Sequence, residues 1–142
     1  MLRRLENFLI FWMPVFLYCT VIYIQSSYPS MAHLPDVPFG DKYLHIIGYA
    51  LLGFLFFRAF RSSRPGSRRV VLSLLSVAAT TAYGISDEIH QYFVPSRSAD
   101  VFDVLADMIG GCLGVLAYFL LVNKYDTLLL GYSYFDKLRR YL

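Results

Sequence analysis

A chain of 142 residues with 57% hydrophobic and only 16% charged side chains cannot cover itself with polar groups as a soluble domain of this size must. Its net charge of +3 comes from basic residues that flank apolar stretches, not from a continuous patch, so nucleic acid is excluded as the partner. Cys19 and Cys112 both fall inside apolar stretches, which excludes a disulfide framework and predicts two reduced core thiols.

The first apolar span runs from about Phe8 to Ile24. Arg3 and Arg4 before it resemble the start of a signal peptide. Gln25-Ser26-Ser27-Tyr28-Pro29 offers no small-x-small cleavage site, so a retained helix is predicted. Pro29, Pro35 and Pro38 then hold an extended loop, since each fixes its own φ and disfavours helix before it. The second span covers about Tyr43 to Phe60 and closes in a run of arginines around the Pro65-Gly66 turn. The third, about Val70 to Gln91, ends in Asp87-Glu88-Ile89-His90-Gln91. A loop from Tyr92 to Ala99 leads into the fourth, about Asp100 to Val122. At 1.5 Å per residue, about 20 residues cross about 30 Å of hydrocarbon. Beyond them, Leu128, Tyr132, Phe135, Leu138 and Leu142 recur every three or four positions while Lys137, Arg139 and Arg140 point elsewhere. That is the pattern of a short interfacial helix, not of another span. The fold class is therefore all-α and polytopic, with a four-helix transmembrane domain over 1–122 and a cytoplasmic amphipathic tail over 123–142.

Charge follows this division. Of the 13 Lys and Arg, all but Lys42 and Arg97 fall in the N-terminal segment, the second loop and the tail. The positive-inside bias then puts both termini in the cytoplasm and the first and third loops outside. Lys42 and Arg97 share the outer side with Asp36, Asp41, Asp87, Glu88, Asp100, Asp103, Asp107 and all 3 histidines. The carboxylates outnumber the cations there, too many for ion pairing alone to neutralise.

Three clusters form at this mouth. Asp41 and His45 are one turn apart, as are Lys42 and His45. Asp41 suits the N-cap of the second helix, and His45 needs a partner or a wet pocket. Asp87 and Glu88 stand side by side at a helix C-terminus, against the macrodipole, with Gln91 one turn on. Something positive must offset them: Arg97, Lys42, a protonated His or a metal ion. Asp100, Asp103 and Asp107 climb one face that Gly110 and Gly114 continue, a surface where another helix approaches closely. Asp100 and Asp103 suit a cap and a first turn. Asp107 lies almost two turns inside, where an unpaired carboxylate costs on the order of several kcal/mol. His90 points away from the Asp87/Gln91 face, and His33 reads as solvated.

These clusters, in this order, resemble the VanZ-like family of small bacterial membrane proteins. The resemblance runs through Asp41-Lys42-x-x-His45-x-x-x-Tyr49, then Asp87-Glu88-x-x-Gln91, then Arg97 and Asp103-x-x-x-Asp107-x-x-Gly110-x-x-x-Gly114. It spans roughly residues 8 to 122. Where the family pattern usually has Asn, this chain has Asp107, which adds a negative charge. The resemblance implies a multi-pass protein of the bacterial cytoplasmic membrane, linked through the family's namesake to resistance against the glycopeptide teicoplanin.

Three functions fit these residues. An enzyme at the outer leaflet would act on a lipid headgroup or lipid-linked cell-envelope precursor. Glu88, His45 and Asp87 would be its catalytic groups, and Lys42, Arg97, Gln91 and Tyr49 would bind substrate. Asp87, Glu88, Asp103 and Asp107 would hold a divalent metal ion. A binder would hold the same kind of lipid without chemistry. A structural network would pair Asp87 or Glu88 with Arg97, and Asp103 or Asp107 with Lys42. The charge imbalance favours a ligand or metal over ion pairing alone.

Overall fold

A computed structural model describes residues 2–29, 40–64, 66–95 and 97–139, with side chains placed between 8 and 122. Its helices are α1 (Leu2–Ser26), α2 (Gly40–Ser63), α3 (Arg69–Tyr92) and α4 (Val101–Arg139). Each carries a membrane-length apolar segment: Phe8–Ser26, Gly40–Ser63, Arg69–Tyr92 and Val101–Val122. Large apolar side chains such as Ile47, Leu74 and Leu120 face outward, and Cys112 is exposed with them instead of lying in the core. Helices satisfy their own backbone hydrogen bonds, so a surface of this kind suits hydrocarbon.

The interior is small and partly polar. Ser76 and Thr80 are fully buried, and each donates its hydroxyl to the carbonyl one turn back, Leu72 and Ser76 respectively. Glycines set the closest seam. A Cβ on Gly110 would stand 2.6 Å from the Ile46 carbonyl oxygen, and one on Gly114 would strike the Ala50 carbonyl. So α2 and α4 meet backbone to backbone, with the close approach that small residues permit. α1 packs mainly on α2 and touches α3 much less. Val15 and Ile22 pack with Tyr49, Leu52 and Ala59, and the Tyr18 hydroxyl donates to the Gly48 carbonyl at 3.1 Å.

Helix starts depart from expectation once. α2 begins at Gly40, so Asp41 lies in its first turn and not at the N-cap; there its charge still complements the macrodipole. Asp100 caps α4 as expected, its Oδ1 accepting the Phe102 N–H at 2.8 Å. The tail backbone continues α4 without interruption to Arg139. Between Gly114 and Gly131 there is no Gly or Pro to stop the helix. The amphipathic side chains expected from Leu128 onward, and His33 and Asp36 of the first loop, lie outside the described residues.

Candidate functional site

Three helices converge their polar stripes at one end of the bundle. α2 supplies Lys42, His45 and Tyr49 from its first three turns. α3 supplies Gly84, Asp87, Glu88 and Gln91 from its last three, and α4 supplies Asp103 and Asp107 behind its cap, Asp100. Spacings of three and four keep each set on one helix face, and the Gly110/Gly114 seam turns the α4 face toward α2.

Lys42 is fully engaged. Its Nζ donates to Asp100 Oδ2 and Asp103 Oδ1, each at 2.8 Å, and lies 3.3 Å from Asp41 Oδ2. That ammonium, followed by the Phe102 N–H, holds the Asp100 carboxyl below the usual carboxylate range. His45 Nδ1 is 2.9 Å from Asp107 Oδ1, while Nε2 lies 4.0 Å from Asp103 Oδ2. Asp107 has no exposed surface. The space for its other oxygen exists because residue 84 is glycine: a Cβ there would strike Asp107.

Asp87 is held by neutral donors, with the Tyr49 hydroxyl at 3.2 Å and Gln91 Nε2 at 3.0 Å, both on Oδ2. Glu88 Oε2 accepts the Asp100 N–H at 2.8 Å, clamping the end of α3 to the start of α4. Among the described residues, Glu88 Oε1, Asp107 Oδ2 and Thr81 Oγ1 are buried side-chain oxygens with no hydrogen-bond partner. Two of these belong to this site, where an unmet carboxylate oxygen is costly.

The expected pairing of Arg97 with Asp87 or Glu88 does not form. The guanidinium turns to α1, donating to the Tyr28 carbonyl at 3.1 Å and the Gln25 carbonyl at 3.4 Å. The exposed carbonyls at the end of a helix attract a cation by themselves, and they lie nearer than the carboxylates. The expected pairing of Lys42 with Asp103 does form. His90 points away from the cluster, as the helical wheel predicts, with Nε2 2.9 Å from Ser27 Oγ and its ring against Tyr23.

Beside this network, a cavity of about 120 Å³ opens between α1, α2 and α3. Its lining is polar at Asp41, His45, Tyr49, Asp87, Gln91 and Arg97 and apolar at Tyr18, Ile22 and Leu44. Its α1 wall, which includes Gln25 and Ser26, was not foreseen from sequence. The available signal was two polar residues closing an otherwise apolar helix at the level of the acidic end. Gly84 was likewise readable only as a neighbour of Asp87, not as the space that admits Asp107. His45, Glu88 and Asp103 each bring one ligand-type atom within 4.8 Å of the other two.

The family model described as VanZ/LLP1 matches residues 8–122, which include every residue of this site. An uncharacterized protein of the fission yeast Schizosaccharomyces pombe is 30% identical over 96 residues, covering 68% of this chain and 57% of that protein. This chain thus spans less than two thirds of that relative's length. No solved structure matches. The match over most of the chain shows that it belongs to the VanZ/LLP1 family.

Proposed function

We propose that this VanZ/LLP1 protein binds the polar head of a membrane lipid, or of a lipid-linked envelope molecule, in the cleft between α1, α2 and α3. The observation that carries this reading is the mixed lining: Arg97, Gln91, Tyr49, His45 and Asp87 share one cavity with Tyr18, Ile22 and Leu44. An amphiphile presents both chemistries at once. The lightly packed α1 offers a side entrance from the bilayer. Arg97 contacts only backbone carbonyls among the described residues and keeps donors for a phosphate oxygen. Lys42, saturated by three carboxylates, is given the structural role of holding α2 to α4.

In the sequence, 11 of the 13 Lys and Arg fall in the N-terminal segment, the α2–α3 connection and the tail, which supports a cytoplasmic location for both termini and an outward-facing cleft. A relative in a fission yeast supports a headgroup common to many membranes over a precursor confined to bacteria. Glycopeptide resistance would follow only from the second kind of occupant. An enzymatic reading is favoured by one contact, the Asp107 carboxylate behind His45, which is how a general base is held in place.

The test is saturable binding of a fluorescent anionic phospholipid to the full chain in detergent. Arg97→Gln should weaken binding roughly tenfold, the worth of one charge-assisted hydrogen bond. A flat isotherm for the wild type, or unchanged affinity in Arg97→Gln, contradicts the reading. Release of the headgroup over time would establish the enzymatic version.

A further inference from the structure

We infer that His45, Glu88 and Asp103 form a divalent-cation site, with Asp107 as the residue that orients the imidazole. Each of the three proposed ligands has one atom tied and one atom free. With the Asp107 carboxylate as acceptor, His45 Nδ1, 2.9 Å away, carries the hydrogen, and in the neutral imidazole Nε2 then keeps its lone pair. Metal-ligating histidines are commonly held in this way, through a carboxylate on the second ring nitrogen. Asp103 Oδ1 is fixed by Lys42 at 2.8 Å, leaving Oδ2. Glu88 Oε2 is fixed by the Asp100 N–H at 2.8 Å, leaving Oε1 buried and without a partner.

Two of these free atoms stand close together, and the third residue lies within ligand range of both. His45 Nε2 and Asp103 Oδ2 are 4.0 Å apart, beyond hydrogen-bond range, with a ligand oxygen of Glu88 within 4.8 Å of both residues' ligand atoms. Acceptors gathered around a gap, in a site where Glu88 is only 5% and Asp103 7% exposed, are stabilised by a cation in the gap. Charge points the same way. Asp41, Asp100 and Asp103 share Lys42, and among the described residues Asp87, Glu88 and Asp107 form no ion pair with a Lys or Arg. Asp87, expected from sequence among the metal ligands, is left out of this set because it is not one of the residues whose ligand atoms lie within 4.8 Å of one another; Tyr49 and Gln91 hold its Oδ2. Asp107 moves from ligand to positioning residue.

One imidazole with two carboxylates suits Zn²⁺ or Mn²⁺. Three protein ligands leave an open position, and His45 also lines the cleft. A phosphate oxygen of a bound headgroup would take that position; this last step alone rests on the headgroup reading.

The test is uptake of Mn²⁺ by EDTA-stripped full-length protein, followed by electron paramagnetic resonance, with Zn²⁺ uptake measured by elemental analysis. A single tightly bound ion per chain, with magnetic coupling to an imidazole nitrogen, is expected. His45→Gln should remove that coupling, Glu88→Gln should weaken binding, and His90→Gln should change neither. Asp107→Asn should lower affinity roughly 10- to 100-fold while the coupling persists. No stoichiometric uptake of either ion, or uptake without nitrogen coupling, overturns the inference. Because the wild-type spectrum decides this alone, a variant that fails to fold does not obscure it. Phospholipid binding that persists in stripped, metal-refractory protein would remove the metal site and leave the headgroup reading intact. Metal uptake without lipid binding would do the reverse.

Discussion

The two ends of this bundle both gather charge, and they handle it in opposite ways. At the basic end Arg58 stacks over the Phe11 ring at 4.6 Å and Arg61 lies 5.7 Å from the Tyr118 ring centre. Their hydrogen bonds are exposed, to the Ile10 carbonyl and the Tyr118 hydroxyl. Such side chains extend along the helix and leave the charge in the polar layer. At the acidic end Asp87, Glu88, Asp103 and Asp107 are all buried, and each has a partner from outside its own helix. Charge at the end of a span is therefore ordinary when it reaches outward and informative when it turns inward.

The comparison can be broken first at the lysine. Lys42→Met removes the cation shared by Asp41, Asp100 and Asp103 and should destabilise the bundle by about 3 kcal/mol. Arg61→Met at the other end should stay within about 0.5 kcal/mol. Unfolding in mixed detergent measures both, and equal costs would erase the distinction. A second contrast sits in two glycines. A Cβ on Gly84 meets Asp107, whereas one on Gly48 meets only the Tyr18 hydroxyl at 3.7 Å, an ordinary contact. Gly84→Ala should cost about 1–3 kcal/mol by overpacking. Gly48→Ala should be neutral or stabilising, since Ala is the better helix former by about 1 kcal/mol. Matching melting temperatures for the two would show that Asp107 can move aside.

The smallest effect concerns acid. Asp100 titrates below its ordinary value when folded, so the Lys42 contact stabilises the fold above the unfolded carboxylate pKa of about 3.9. That contribution fades as pH falls through the lower folded value. Melting temperature followed downward from pH 5 should drop less steeply in Asp100→Asn than in wild type. Parallel curves would mean that the contact carries no stability.

Much of the fold was legible because the physics is local. Apolar runs of membrane length bounded by Pro, Gly and charge mark four helices, and the spacing of Gly110 and Gly114 marks the seam. The conflict at Asp107 was also visible, since a carboxylate almost two turns inside a span demands a partner. Which partner was not visible. That depends on the rotation of α2 against α4, which delivers His45 to Asp107 and Lys42 to Asp103. Arg97 shows the limit most clearly. Charge alone pairs it with Asp87 or Glu88, but the carbonyls at the end of α1 are nearer, and the position of α1 is a tertiary fact. The same holds for the cleft, whose Tyr18 and Ile22 come from a helix with no charge of its own within its apolar span.

The central claim, that the acidic end holds an amphiphile, is tested most directly by photo-crosslinking from two positions in native-like membranes. A diazirine side chain at Ile22 samples the cleft; one at Leu74 samples the outward surface. The account predicts that position 22 captures a single lipid class, saturably and less well in Arg97→Gln, while position 74 captures the bulk mixture. The same mixture at both positions, or no lipid at position 22, would contradict it.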